Sequence, residues 1–284
     1  MERILRRWVL APLLFAVALP VVVWLGLPWP WAYRFADPPA TSFMLYRERE
    51  ARRAHQPLTV VQDWVPLEEM PKDLVRAVLV SEDDRFREHD GVDWKALADE
   101  VHWRGGDDFS WRAASDRAAL WEALRYYRTH RGEIKGRSTL TQQLAKNLYF
   151  TPRRSLIRKA GEFVVAQRLE TLLGKDRILE LYLNTAELGP GIFGVGAAAR
   201  AYFGVPVQRI NRSQAASLAA TLPQPLTSNP KTRPARMAWR RDLILARLSG
   251  REVVIPDEPP PVELPPDLVP APVEVPADTG GVVS

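Results

Sequence analysis

Residues 71–91 read PKDLVRAVLVSEDDRFREHDG, a predicted amphipathic helix that runs directly into a cluster of carboxylates. Pro71 suits the start of a helix, because its missing N–H would have no partner there in any case. Four aliphatic side chains then recur at helical spacing and form one apolar face: Leu74, Val75, Val78 and Leu79. Glu82 follows Val78 by four residues, so its carboxylate is expected along the buried face near the end of the helix.

Glu82 is therefore a candidate general acid or base. Burial and neighbouring acids raise the pKa of a carboxyl group, and Asp83 and Asp84 follow Glu82 directly. A carboxyl group tuned in this way can exchange protons with a substrate. A solvated acidic helix end is the alternative interpretation, and this segment taken alone favours it.

A second predicted helix, over residues 138–150, carries polar groups beside its apolar stripe. Ser138 is a plausible N-cap, and Leu140, Leu144 and Leu148 form the stripe. Three polar side chains flank it: Thr139, Gln143 and Lys146. Hydroxyl, amide and ammonium groups in this arrangement suit sugar hydroxyls and a phosphate. An ordinary solvated helix face remains the alternative.

A third predicted helix, over residues 155–173, carries Arg158, Lys159 and Glu162 within one turn. The spacing lets Glu162 meet both cations. As an exposed ion pair this contact would contribute only about 0.3–0.5 kcal/mol. As a site, the two cations together with Lys146 could hold a diphosphate, with the carboxylate orienting them.

The three segments resemble, in order, three motifs of the family-51 glycosyltransferases, the peptidoglycan transglycosylases. The first motif, Glu-Asp-x-x-Phe-x-x-His-x-Gly, is complete at Glu82, Asp83, Phe86, His89 and Gly91. The second, Gly-Gly-Ser-Thr-x-x-Gln-Gln-x-x-Lys-Asn, resembles the stretch from Gly136 to Asn147, with Arg137 in place of the second glycine. The third, Arg-Lys-x-x-Glu, resembles Arg158 to Glu162.

Two later segments extend the resemblance. Gly189–Gly194 has Gly-x-Gly-x-x-Gly spacing, but it follows a predicted helix rather than a strand, so a dinucleotide-binding loop is rejected. Together with residues 177–184 it resembles the fourth family motif instead, and residues 215–230 resemble the fifth. No room remains for the transpeptidase domain of bifunctional relatives, so the monofunctional branch is the better match.

The resemblance implies a mainly α, lysozyme-like transglycosylase domain whose cleft faces the membrane. The implied reaction polymerises lipid II, a disaccharide-pentapeptide on undecaprenyl diphosphate, into glycan strands with inversion and release of undecaprenyl diphosphate. Moenomycin would block it. Glu82 and Glu162 are the implied catalytic carboxylates. The implied substrate-binding residues are Asp83, Phe86, His89, Gly136, Ser138, Thr139, Gln143, Lys146, Asn147, Arg158 and Lys159. No cofactor is expected to be obligatory; a divalent cation, Mg²⁺ or Mn²⁺, is compatible, and its ligands are left open.

The N-terminal segment predicts a membrane anchor. Residues 8–33 contain no charge, and roughly 20 apolar residues suffice to cross a bilayer. Three arginines precede the run and four aromatic residues crowd its far end, so residues 1–7 are expected in the cytoplasm and the bulk of the chain outside it. A cleaved signal peptide is the alternative. The expected location is the bacterial inner membrane, with one span and a periplasmic catalytic domain.

Residues 34–250 read as one domain without an obvious linker. Helical periodicity recurs in residues 71–86, 117–128, 138–150, 155–173, 175–184 and 213–222, and Leu58–Val61 is the best candidate strand. Residues 251–284 hold nine prolines, eight charged residues of which seven are acidic, and predict a disordered tail. Residues 99–135 mix Trp with Arg, which favours either an interfacial segment or a surface helix that packs its Trp residues inward.

Composition narrows the classes of partner that the protein is expected to bind. The formal net charge is +5, which favours an anionic partner. The absence of cysteine excludes a disulfide scaffold, a Cys-based zinc site and a Cys nucleophile. No nucleic-acid-binding motif is present, so the expected partners are lipid II, the growing glycan, the membrane and cell-wall synthesis or division proteins. A lysozyme-like glycan hydrolase and an inactive membrane-tethered scaffold remain the alternative functions.

Overall fold

The computed structural model of the chain describes residues 25–106, 109–130, 138–153 and 155–255. The chain is mainly helical, as predicted. Its α-helices are α1 (Ser42–Arg53), α2 (Lys72–Glu82), α3 (Trp94–Glu100), α4 (Ala114–Thr129), α5 (Leu140–Tyr149), α6 (Leu156–Leu172), α7 (Lys175–Thr185), α8 (Val195–Phe203), α9 (Arg212–Thr221) and α10 (Pro234–Leu248).

A small sheet completes the fold. Its strands are β1 (Val61–Gln62), β2 (Glu187–Gly189) and β3 (Ile192–Phe193), in the order β1-β3-β2. β1 pairs parallel to β3, with Val61 opposite Ile192, and β2 pairs antiparallel to β3. Gly191 and Gly194 have φ of 71° and 79°, which glycine adopts without strain. The glycine-rich stretch therefore makes a tight hairpin between α7 and α8.

The six predicted helices all occur, with two local corrections. The helix predicted to reach residue 86 ends at Glu82, because the backbone of Asp83 leaves helical geometry at φ −163° and ψ 77°. The N-cap of α5 is Thr139 rather than Ser138, since the Thr139 hydroxyl accepts the Gln142 N–H. Four helices, α1, α3, α8 and α10, were not predicted.

The core is built around α5, α7 and α9. The three leucines of the predicted α5 stripe are buried, and so are seven of the eleven residues of α7. Residues 215–221 of α9 are buried on every side, and their small side chains let α9 pack closely against α2, α8 and α10. Fully burying an aliphatic side chain contributes about 1.5–3 kcal/mol, so this apolar centre holds the ends of α2 and α5 in place.

Residues 8–24 of the predicted anchor lie outside the described residues, whereas Leu27–Tyr33 is held by the domain. The 3₁₀ helix Pro30–Arg34 packs against α6. Arg168 of α6 donates to the carbonyl oxygens of Leu27 and Pro28 and lies 4.0 Å from the Trp29 ring centroid. Arg177 donates to the Tyr33 carbonyl at 2.7 Å. Within the described ranges, no helix combines the length and apolarity needed to cross a bilayer.

At the other end, the packed domain reaches slightly past the predicted boundary at residue 250. Ile255 is buried in the main core. Residues 256–284 of the predicted tail lie outside the described residues. In the Trp/Arg segment, Trp111 and Trp121 are 70% and 72% exposed, so these two rings do not pack inward; residues 107–108 and 131–135 of that segment are not described.

Asn184 provides a test of the fold. Its fully buried side chain accepts the Val65 N–H at 2.9 Å and donates to the Val65 carbonyl at 2.8 Å, which ties α7 to the chain after β1. Asn184→Ala leaves both backbone groups without partners and should reduce the free energy of unfolding by about 2–4 kcal/mol. Urea unfolding of the detergent-solubilised protein measures this. Gln208→Ala, at an exposed hydrogen bond to Glu69, is the control; equal effects of the two changes would contradict the prediction.

Candidate active site

Glu82 lies at the last position of α2, with both carboxylate oxygens engaged. Its side chain is 9% exposed. The Gln143 side chain on α5 donates to Oε2 at 3.1 Å, and Arg240 on α10 donates to Oε1 at 3.2 Å. The predicted position near the end of a helix is thus confirmed, and the carboxylate is a buried, fixed group rather than a solvated helix end.

Gln143 is itself oriented by Tyr182 of α7. The Tyr182 hydroxyl donates to Gln143 Oε1 at 3.0 Å. Burial, together with the negative charges of Glu82 and Asp83, raises the pKa of Tyr182 well above its usual value, so this hydroxyl stays protonated and remains a donor. Because Tyr182 occupies the amide oxygen, the Gln143 amide nitrogen must face Glu82.

The remaining first-motif residues hold the turn after α2 against the start of α5. Asp83 Oδ2 accepts the Leu140 N–H at 2.8 Å and Oδ1 lies 2.9 Å from His89 Nε2. The Thr139 hydroxyl donates to the Gly91 carbonyl at 2.6 Å. Phe86 is fully buried. These four residues were predicted to bind substrate: Asp83, His89 and Thr139 are hydrogen-bonded within the protein, and Phe86 packs in the core. Asp83 and Thr139 also line the larger cavity beside Glu82.

The third-motif residues form the second half of the site. Glu162 is 3% exposed, is bonded to Arg158, and lies 3.5 Å from Lys159 Nζ. Lys159 also donates to Ser138 Oγ at 2.6 Å and to Gln142 Oε1 at 3.1 Å. The predicted contact of one carboxylate with both cations is confirmed.

Lys146 adds a third positive charge. Burial lowers the pKa of Lys146, and the nearby Arg158 guanidinium lowers it further, while Glu82 and Glu187 act in the opposite direction. Burial likewise lowers the pKa of Lys159, with smaller effects from Arg158 and Lys146. Lys146 and Lys159 thus both lie close to Arg158, which is itself paired with the buried Glu162. An anionic ligand would relieve their mutual repulsion.

Two cavities adjoin these groups. The larger, of about 580 Å³, is lined by residues that include Glu82, Ser138, Thr139, Gln142 and Lys159. The smaller, of about 290 Å³, is lined by Phe43, Arg47, Gln143, Lys146, Asn147 and Glu187 among others. Burial raises the pKa of Glu187, and a bidentate pair with Arg47 opposes that shift. The site therefore has room for groups on both sides of the Glu82–Gln143 contact.

Three side chains approach one another as metal ligands would: Asp83, His89 and Asp93. Their oxygens are already committed, however. Arg85 binds both oxygens of Asp93, and Asp83 is bonded to His89 and Leu140. A dication there would displace Arg85, so these residues do not fit a resident metal.

Sequence reasoning missed Arg240, Tyr182, Arg47 and Glu187. Tyr182 lies in a predicted helix, but nothing in its spacing distinguishes it from a core aromatic residue. Arg240 and Arg47 lie on helices that were not predicted. Conversely, predicted Gly136, together with Arg137, lies outside the described residues.

A family model described as Transglycosylase matches residues 51–105 and 106–249. A protein named biosynthetic peptidoglycan transglycosylase from Azoarcus sp. (strain BH72) is 37% identical over 249 residues, covering 87% of this chain and 97% of the relative. Proteins of the same name from Bordetella avium (strain 197N) and Pseudomonas putida (strain W619) are 39% and 36% identical over 76% of this chain, covering 81% and 82% of the relatives. The chain therefore belongs to the transglycosylase family.

Proposed function

We propose that this protein is a peptidoglycan glycosyltransferase that polymerises lipid II into glycan strands. The observation that carries the proposal is the buried carboxylate of Glu82 in a cleft that Lys159 also lines. Arg158 and Lys159 are paired with Glu162, and Lys146 lies close to Arg158. A buried carboxylate supplies a base, and the cations suit a departing diphosphate. The names of the relatives point to the same activity.

In the proposed reaction, Glu82 accepts the proton of the acceptor 4-hydroxyl as that oxygen attacks the anomeric carbon of the donor. The bond between the anomeric carbon and the diphosphate oxygen breaks, and undecaprenyl diphosphate leaves with the electron pair. The configuration at carbon inverts. Lys146, Arg158 and Lys159 stabilise the departing charge, and Glu162 holds Arg158 and Lys159 in place. A preorganised donor of this kind typically contributes about 3–4 kcal/mol to the transition state.

Side-chain cations can thus perform the task that a metal performs elsewhere. We infer that no cofactor is obligatory and that Mg²⁺ or Mn²⁺, where bound, is held mainly through substrate phosphates, as Mg²⁺ usually is. The oxygens of Glu162 already face Arg158 and Lys159.

The alternative functions account less well for the site. A lysozyme-like hydrolase would share the carboxylate and, by our inference, the lysozyme-like fold, but it has no diphosphate to stabilise. An inactive scaffold has no need to keep Glu82 held from both sides.

We further propose that residues 8–26 anchor the protein in the bacterial inner membrane with the domain in the periplasm. The end of the predicted anchor, Leu27–Tyr33, packs against the domain instead. The proposed topology places the cleft beside a lipid-linked substrate. Cell-wall synthesis or division proteins are the proposed partners of the membrane-bound protein.

Glu82→Gln should abolish glycan synthesis. The amide has nearly the same shape but cannot accept the hydroxyl proton, and loss of general base catalysis costs about 10²–10⁴-fold in rate. The measurement is polymerisation of labelled lipid II by the detergent-solubilised protein, with moenomycin as the inhibitor control. Retention of a near wild-type rate by the variant would rule out Glu82 as the base.

The rate should fall on the alkaline side below the ordinary lysine range, because the pKa of Lys146 is lowered by burial and by Arg158. As pH rises through that lowered pKa, the cation is lost and the diphosphate loses a partner. Lys146→Arg keeps a charged side chain throughout the working pH range. The alkaline limb of its pH–rate profile should therefore move to higher pH, even if the maximal rate is lower.

Lys159→Arg is the matched comparison, since the pKa of Lys159 is lowered for related reasons. An alkaline limb that stays in place in both variants would contradict the leaving-group role of these lysines.

The topology can be tested with cysteine labelling, because the natural chain has none. Gln208→Cys, at an exposed position of the domain, should react with a membrane-impermeant maleimide added to spheroplasts. Glu2→Cys should react only after the membrane is permeabilised. The reverse pattern would overturn the proposed orientation.

A further inference from the structure

Arg240 is a deeply buried cation that contacts the proposed base. Its side chain is 4% exposed. It donates to Glu82 Oε1 at 3.2 Å and lies 3.4 Å from the Ser81 carbonyl oxygen. It reaches them because α10 packs against both α2 and α9. None of the sequence motifs contains this residue.

Three features of the surroundings oppose ionisation of Glu82. The carboxyl group is buried, the two following residues are acidic, and Glu82 lies at the C-terminal end of α2, where the helix dipole is negative. Each favours the protonated acid. A protonated Glu82 could not accept the proton of the acceptor hydroxyl.

Arg240 opposes all three effects. Its guanidinium faces both the carboxylate and the last turn of α2. A guanidinium stays charged at any pH at which the enzyme works. Arg240 donates to Oε1 of Glu82, and the Gln143 side chain donates to Oε2. The two hydrogen bonds restrict rotation of the carboxylate.

We propose that Arg240 is a positioning residue that keeps Glu82 ionised and fixes the orientation of its carboxylate for proton transfer. The inference rests on the proposed role of Glu82 as base. Arg240 itself need not contact the substrate.

Among the described residues, charged or titratable groups near this carboxylate come from several neighbouring elements. They include Asp83 and Asp84 after α2, Lys146 on α5, Lys159 on α6, Tyr182 on α7 and Arg247 on α10. Arg247 is paired with Asp84, and Lys159 with Glu162. Arg240 differs from the cations just named in donating a hydrogen bond to Glu82 at 3.2 Å.

The test is the pH–rate profile of lipid II polymerisation by full-length Arg240→Gln in detergent. A carboxylate that loses a cationic neighbour takes up a proton at higher pH, typically by about one to two pH units. The acid limb of kcat should therefore move up by that amount, with KM for lipid II little changed. Arg241→Gln, at the adjacent position and paired with Asp242, should keep the wild-type profile.

Arg240→Lys keeps the charge without the planar fork. It should retain an acid limb close to the wild type but show a lower kcat, and this variant serves if Arg240→Gln does not fold. Acid limbs that coincide in wild type and Arg240→Gln would overturn the proposal, as would an unchanged kcat in Arg240→Lys.

Thermal unfolding supplies an independent readout. In Arg240→Gln the melting temperature should fall relative to wild type as the pH rises, because the buried carboxylate must then ionise without its contact to the guanidinium. Adding Glu82→Gln should remove that pH dependence; persistence of it would overturn the proposal. If Glu82→Gln alone keeps full activity, the proposed base is wrong. If Glu82→Gln is inactive but Arg240→Gln has a normal pH–rate profile, only the proposed role of Arg240 is wrong.

Discussion

The geometry of the site depends on the hydrogen bonds of the buried Asp83 carboxylate. This carboxylate accepts the first N–H of α5 and lies against His89, so it joins the turn after α2 to the start of α5. The neighbouring residue is Glu82, and the side chain that meets Glu82, Gln143, lies one turn into α5. Rigid helices on either side of one buried carboxylate thus bring the proposed base and its amide partner to a fixed separation. Such positioning is worth more to catalysis than any single contact energy.

The charges of the site are arranged unequally. On the side of Glu82, Asp83 and Asp84 follow the carboxylate in sequence, and Arg240 donates to it. Near Glu162, Arg158 and Lys159 are paired with the carboxylate, and burial lowers the pKa of both Lys146 and Lys159. A proton therefore has a natural acceptor at one end of the cleft and an anion a natural location at the other. This separation is what a displacement reaction with an anionic leaving group requires.

Much of this was predictable from local spacing. The helical period located α2, α5 and α6 and placed Glu82 near a helix end and Glu162 between two cations, because these relations span at most four residues. The end of α2 was misplaced by four residues, since Asp83 leaves the helix to make contacts with residues 6 and 57 positions away. Arg240 lies 158 residues from Glu82, and no local pattern encodes such a distance. Tyr182 was equally hidden, because its hydroxyl acts through Gln143.

The contacts of Arg168 and Arg177 with the segment Leu27–Ala36 have a mechanical consequence. A domain joined to a bilayer through a flexible tether would tumble, and its cleft would meet lipid-bound molecules at random angles. Here the chain is hydrogen-bonded to α6 and α7 directly after the proposed anchor. The domain therefore has a fixed orientation relative to this segment of the chain. On the proposed topology, these contacts would fix the height and tilt of the cleft above the lipid headgroups during folding, so that the orientation need not be found again at each round of sugar addition.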